Sequence, residues 1–160
     1  MTSLPISGSK PTPPTWYEQL SQLYAELEED IDPSLSVLRG GCCDFRIADH
    51  RLYATSLEVE YLREGRGSPI PQPEAEGLCP FWQQGLCKAR EHRPLGCRTY
   101  FCDPSWRERG EQLHEEFHRR IVALHKRHQI SYSYRSWVDA MEEARAASDC
   151  GWAPGSGGTP

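Results

Sequence analysis

The stretch "CPFWQQGLCKAREHRPLGCRTYFC", residues 79–102, limits the fold of this chain more than any other. It holds four cysteines together with Pro80, Gly85, Pro94 and Gly96. Proline inside a helix or central strand removes a backbone hydrogen bond, and glycine marks turns, so the segment cannot be one long regular element. It has to be a series of short pieces. The surrounding chain offers limited help, because an apolar fraction of 38% is low for a self-sufficient core.

The environment expected for these thiols is reducing. The opening "MTSLPISGSKPTPP" carries one lysine, no continuous apolar run and two proline clusters, which does not read as a signal peptide or membrane anchor. No later segment is long and apolar enough to span a bilayer. A cytoplasmic address follows, where disulfides are rare, and the odd total of seven cysteines agrees. With a net charge of -5 and basic residues interleaved with acidic ones, neither nucleic acid nor a membrane is an expected partner.

Helical signals flank the cysteines. Thr15 and Glu18 have capping-box spacing, and Trp16, Leu20, Leu23, Leu27 and Ile31 recur at helical intervals, which predicts a helix over 16–30. Thr55 and Glu58 repeat the box ahead of Leu57, Tyr61 and Leu62, predicting a short second helix. A longer helix carries Leu113, Phe117, Ile121 and Leu124 on one face, and a fourth is expected over 136–146. "DFRIADHRLYA" suggests two short extended pieces around Ala48 and Asp49, and "EGRGSPIPQPEAEG" an exposed linker. The expected fold is mainly α, with a small α+β arrangement as the alternative: helices packed around an irregular cysteine-rich core. One domain over 15–148 lies between tails over 1–14 and 149–160 that read as disordered.

Cys42, Cys43, Cys79, Cys87, Cys97 and Cys102 all fall in the non-periodic parts, while Cys150 stands at the edge of the C-terminal tail. Six thiols in glycine- and proline-punctuated backbone make a soft donor set suited to zinc, copper(I) or an iron-sulfur cluster. Structural zinc usually takes paired ligands from knuckles of two to four intervening residues, and only Cys97 with Cys102 comes close. The adjacent pair Cys42 and Cys43 is awkward for one tetrahedral ion. Irregular spacing is better tolerated by a cluster, which favours iron. Arg93 and Arg98 are candidates to screen the negative charge of thiolate ligands.

"GGCCDF", "LYATSLEVEYL", "CPFWQQGLC" and "RPLGCRTYFC" together resemble the cysteine-cluster family described as a zinc- or iron-chelating domain, the YkgJ-like proteins. The similarity covers about residues 40–102. Members commonly open with a longer C-x-x-C-x-x-C-C run, of which this chain keeps the final pair, so either the site uses fewer ligands or Cys102 replaces one. The resemblance implies metal binding without implying a reaction.

Other groups compete for a chemical role. His114 and His118, with Glu115, satisfy the H-E-x-x-H pattern of zinc proteases, although that reading leaves the cysteines unexplained. His114, His118 or His92 could serve as an accessory ligand, with His50 as a weaker candidate. Glu58 could be a ligand or base, or simply a cap. "GRGSP" lacks the lysine and helix of a phosphate loop. The leading expectation is a metal-binding protein holding an iron-sulfur cluster or zinc. One alternative is a metal-dependent redox or group-transfer enzyme, since flagellin lysine methylases carry a similar cysteine region. The other is a metal-trafficking protein. Whether the chain is an enzyme, and which protein partner it has, are left open.

Overall fold

A computed structural model describes residues 14–37, 43–46 and 51–149. The chain is mainly helical with two small two-stranded sheets, in the order α1 (Trp16–Glu29), β1 (Tyr53–Thr55), α2 (Ser56–Arg66), β2 (Trp82–Gln83), β3 (Leu86–Cys87), α3 (Leu95–Thr99), α4 (Arg107–Arg127), β4 (Tyr134–Ser136) and α5 (Trp137–Asp149). Short 3-10 turns stand at Pro33–Val37, Arg90–His92 and Pro104–Trp106.

Both capping boxes form. At α1 the Glu18 amide donates to Thr15 Oγ1 at 3.2 Å and the Thr15 amide to Glu18 Oε2 at 2.7 Å. At α2 the Glu58 amide donates to Thr55 Oγ1 at 3.3 Å and the Thr55 amide to Glu58 Oε2 at 2.7 Å. Each box satisfies two amides that the first helical turn leaves without partners. Gly67 closes α2 with φ of 57°, in the left-handed region that a side chain resists.

The core has two parts. In the first, Leu20, Leu23, Tyr24 and Leu27 of α1 meet Leu113, Phe117, Ile121 and Leu124 of α4. Leu57 and Tyr61 of α2 and Leu95 of α3 complete it. In the second, Leu62 of α2 joins Leu52, Ala54, Ile70, Cys79, Phe81 and Ala89, with Trp137, Ala140, Met141 and Ala144 of α5. Cys43, Cys87 and Cys97 pack against this second part. α2 is therefore a wall with an apolar residue set on each side. β1 and β4 pair antiparallel with Thr55 opposite Tyr134, which ties the start of α2 to the start of α5.

Three expectations are altered. The fourth helix begins one residue later than expected and runs on to Asp149. β4 was not anticipated, because the run "SYSYRS" has too few apolar residues to announce a strand. The segment read as an exposed linker begins as the last turn of α2, and its Ile70 is buried in the second core. The expected extended pieces around Ala48 and Asp49 lie outside the described residues, as do nearly all of both tails.

Candidate metal centre

The cysteine-dense stretch folds by tight local turns. The Trp82 amide donates to the Cys79 carbonyl at 2.9 Å, closing a turn that Pro80 favours through its fixed φ. β2 and β3 then form a hairpin whose connecting residues Gln84 and Gly85 have φ of 51° and 75°. Positive φ at both central positions matches the right-handed twist of paired strands, which is why so short a hairpin closes here. It sets Cys87 opposite Trp82. From the other side, Asp44 bridges Leu78 and the Cys79 amide donates to the Cys43 carbonyl at 2.9 Å. Backbone pairing thus brings Cys43, Cys79 and Cys87 into one neighbourhood.

Cys79 is the most buried of the described cysteines. Burial pushes its thiol pKa up, since a thiolate there is poorly solvated; the Phe81 amide, the Trp137 indole and the Trp82 amide all act the other way, and nearby Cys87 adds to the rise. The indole has special weight. Trp137 is 1% exposed, and its Nε1 finds no hydrogen-bond partner of ordinary geometry. A buried N–H without a full partner is costly, and the anionic sulfur it favours is the acceptor at hand. Sequence reading missed Trp137, which lies far along the chain and there looks only like the apolar face of a helix.

Cys97 enters from α3, the single helical turn that follows Pro94. Arg93 directly precedes Pro94 in the chain. The Arg93 guanidinium donates from Nε to the Arg90 carbonyl at 2.9 Å and from Nη1 to the Cys97 carbonyl at 3.5 Å, and Nη2 stands 3.8 Å from Glu28 Oε1. Burial and then Arg98 lower its pKa, while Cys97 and Cys87 both favour its charged form. Arg93 therefore sits within electrostatic reach of two of the thiols. Arg98 does not share that role. It is 4% exposed and donates to Glu28 Oε1 and the Glu91 carbonyl, both at 2.6 Å, with its guanidinium 4.0 Å from the centre of the Tyr24 ring.

Cys102 is elsewhere. It is exposed and lines a cavity of about 210 Å³ with Thr99, Trp106 and His114, apart from the second core. Cys42 and Cys150 lie outside the described residues. Among the described residues, no three His, Cys, Asp or Glu side chains sit close enough together to hold a metal ion. The fold gathers Cys43, Cys79, Cys87 and Cys97 along one core, and their sulfurs are not drawn into a closed ligand sphere.

The remaining candidates have local partners. The stacked rings of His114 and His118 lie 6.0 Å apart. Thr99 Oγ1 donates to the Leu95 carbonyl, so its contact of 3.1 Å with His114 Nδ1 is an imidazole N–H donating to the hydroxyl. His118 Nε2 stands 3.3 Å from the Tyr132 hydroxyl. Nearly parallel rings with separate partners are not arranged to chelate one ion in the H-E-x-x-H manner. His92 Nε2 meets the Tyr17 hydroxyl at 3.1 Å, and His50 lies outside the described residues. Glu58 is 2% exposed and takes hydrogen bonds from Tyr24 Oη, the Thr55 amide and the Leu95 amide at 2.9, 2.7 and 2.7 Å. Both its oxygens are engaged in holding α1, α2 and α3 together.

No protein-family model, no curated protein and no solved structure matches the chain. Among the described residues, no helix is long and apolar enough to cross a membrane.

Proposed function

We propose that the chain binds a metal through cysteine thiolates, as zinc or an iron-sulfur cluster, with Cys79 as the anchoring ligand. Cys43, Cys87 and Cys97 are the other described ligands, and Cys42 is proposed with them from its place beside Cys43. The carrying observation is the setting of Cys79: backbone pairing brings it beside Cys43 and Cys87 in an apolar core, where burial pushes its thiol pKa up. Burial alone keeps a thiol protonated, whereas a metal ligand has to be a thiolate. A bound cation resolves that conflict by supplying the charge that makes the thiolate stable.

The surroundings fit a soft metal. Sulfur ligands suit zinc and iron-sulfur clusters, and Phe81, Trp82 and Trp137 supply the apolar shell that limits water access. Arg93 would offset part of the negative charge that four thiolates leave on either centre. The resemblance to the YkgJ-like cysteine-cluster proteins points the same way, and the irregular ligand spacing favours the cluster. When bound, the group would serve at least as a structural clamp on the second core. Cys102 is not included, because it faces a different cavity.

The test is anaerobic purification of the full chain with an absorption spectrum and elemental analysis. A brown protein with broad absorbance near ~400 nm and matched iron and sulfide is expected. Colourless protein with one tightly held zinc would keep the thiolate site and remove the cluster. If no metal co-purifies and Cys79→Ser leaves stability unchanged, the proposal is wrong.

A further inference from the structure

One surface stands apart from the cysteines. Tyr53, Tyr132 and Tyr134 are 37%, 47% and 40% exposed, and they form a continuous aromatic face with His118. The Tyr53 and Tyr134 rings lie 5.5 Å apart across the β1–β4 pair. His118 sits 4.8 Å from Tyr134 and 6.4 Å from Tyr132. These are ordinary contact distances for aromatic neighbours, so the rings make one partly exposed patch, with the Tyr132 hydroxyl 3.3 Å from His118 Nε2.

A buried acidic side chain stands behind the patch. Glu58, at the base of β1, is met by three neutral donors and by no basic side chain among the described residues. Its carboxyl accepts from the Thr55 amide at 2.7 Å, and Thr55 stands opposite Tyr134 in the β1–β4 pair, which puts the acidic group behind the face. The basic residues nearby are turned to other tasks. Arg135, one position along β4, faces the opposite side and pairs with Glu143, while Arg119 donates to the Glu115 carbonyl of its own helix at 3.3 Å.

We propose that this face binds an arginine side chain presented by a partner polypeptide. Electron-rich ring faces above a buried carboxylate attract a cation, and the chain's net charge of -5 favours approach of a basic partner. A planar, weakly hydrated guanidinium stacks on phenol rings and donates to their hydroxyls, whereas an ammonium is more strongly hydrated and lacks a flat face. The inference does not depend on the cysteines holding a metal.

The test is an NMR titration of the full-length, isotope-labelled chain with capped pentapeptides whose central residue is arginine, lysine or glutamine. The arginine peptide is expected to shift the Tyr53, His118, Tyr132 and Tyr134 signals saturably, the lysine peptide to bind more weakly, and the glutamine peptide to leave them unchanged. Tyr53→Ala and Tyr132→Ala, each checked for folding by circular dichroism, should weaken the arginine peptide about two- to fivefold, the loss of one exposed cation–π contact. Tyr132→Phe, which keeps the ring, should retain most of the binding. Equal binding of the arginine and glutamine peptides, or unchanged affinity in both alanine variants, overturns the proposal. Equal binding of the lysine peptide overturns its guanidinium selectivity, and free arginine binding as tightly as the peptide overturns the polypeptide partner.

Discussion

The half of the core between α1 and α4 and the half that carries the cysteines bury similar numbers of side chains, but not similar side chains. The first is built mostly of leucines with Tyr24, Phe117 and Ile121 on helices of 14 and 21 residues, joined by Leu57 and Tyr61 of α2 and Leu95 of α3. The second includes Ala54, Ala89, Ala140, Ala144 and a cysteine, and several of its residues stand on strands of two or three residues or in loops. Hydrophobic stabilisation follows the apolar area removed from water, at roughly 25 cal/mol per Å², so small side chains contribute less per position. Short strands also supply few backbone hydrogen bonds to cooperate with that burial. The first half combines large apolar side chains with the Glu58 hydrogen bonds; the second includes smaller side chains on shorter elements.

Removing the proposed metal should separate the halves most sharply. If the cysteines hold a metal, chelation should remove on the order of 10 kcal/mol of binding free energy from the second half. Hydrogen exchange read by mass spectrometry should then speed up over residues 76–98 and α5 while the α1 and α4 amides stay protected. Uniform loss of protection across both helices and hairpin would show that the halves are one cooperative unit.

A smaller and opposite effect is expected from Leu113→Ala. Leu113 is fully buried in the first half, and its truncation should cost about 2–5 kcal/mol in chemical denaturation. Metal content should be unchanged, which distinguishes packing loss from site loss. A mutant that loses its metal together with its stability would break the distinction between the halves.

The smallest effect is on pH dependence. Burial is the main cause that holds the pKa of His114 and of His125 below the usual histidine value. His125 is 2% exposed, its Nδ1 reaches the Ile130 carbonyl at 3.2 Å, and its Nε2 has no partner. A second proton would leave a buried N–H without an acceptor. Because the folded pKa values are depressed, the unfolded chain binds more protons as pH falls below about 6.5. The stability contribution is therefore complete above that pH and shrinks below it, levelling off once the folded-state imidazoles also titrate. Denaturant melts of wild type and His125→Phe between about pH 7.5 and 5 should show a shallower acid slope in the variant. An identical slope would remove His125 from this role.

Much of the helical frame was legible from spacing alone. Thr15 with Glu18, and Thr55 with Glu58, announce helix starts because a capping box is a local device that needs only residues three apart. Leu113, Phe117, Ile121 and Leu124 announce a buried face for the same reason. The sequence did not reveal that α2 is apolar toward two cores, since Leu57 and Tyr61 on one side and Leu62 on the other look like a single stripe in a short helix. Ile70 was hidden among the prolines and charges of an apparent linker.

The candidate site divides along the same line. Its thiols and the turn chemistry around them are properties of adjacent residues, so Pro80 and the Gln84–Gly85 hairpin turn could be read as breaks in regular structure. Which of the cysteines share a neighbourhood depends on pairings between distant segments: Asp44 with Leu78, and Trp137 beside Cys79. The sequence by itself determined the helical frame and the cluster of cysteines in non-periodic segments, because these depend on local propensity and residue spacing. Only the tertiary structure decided that Arg98 is tied to Glu28 and Tyr24, that Cys102 turns to another cavity and that Tyr53, Tyr132 and Tyr134 gather around His118, because side chains far apart in the chain become neighbours only when the backbone closes.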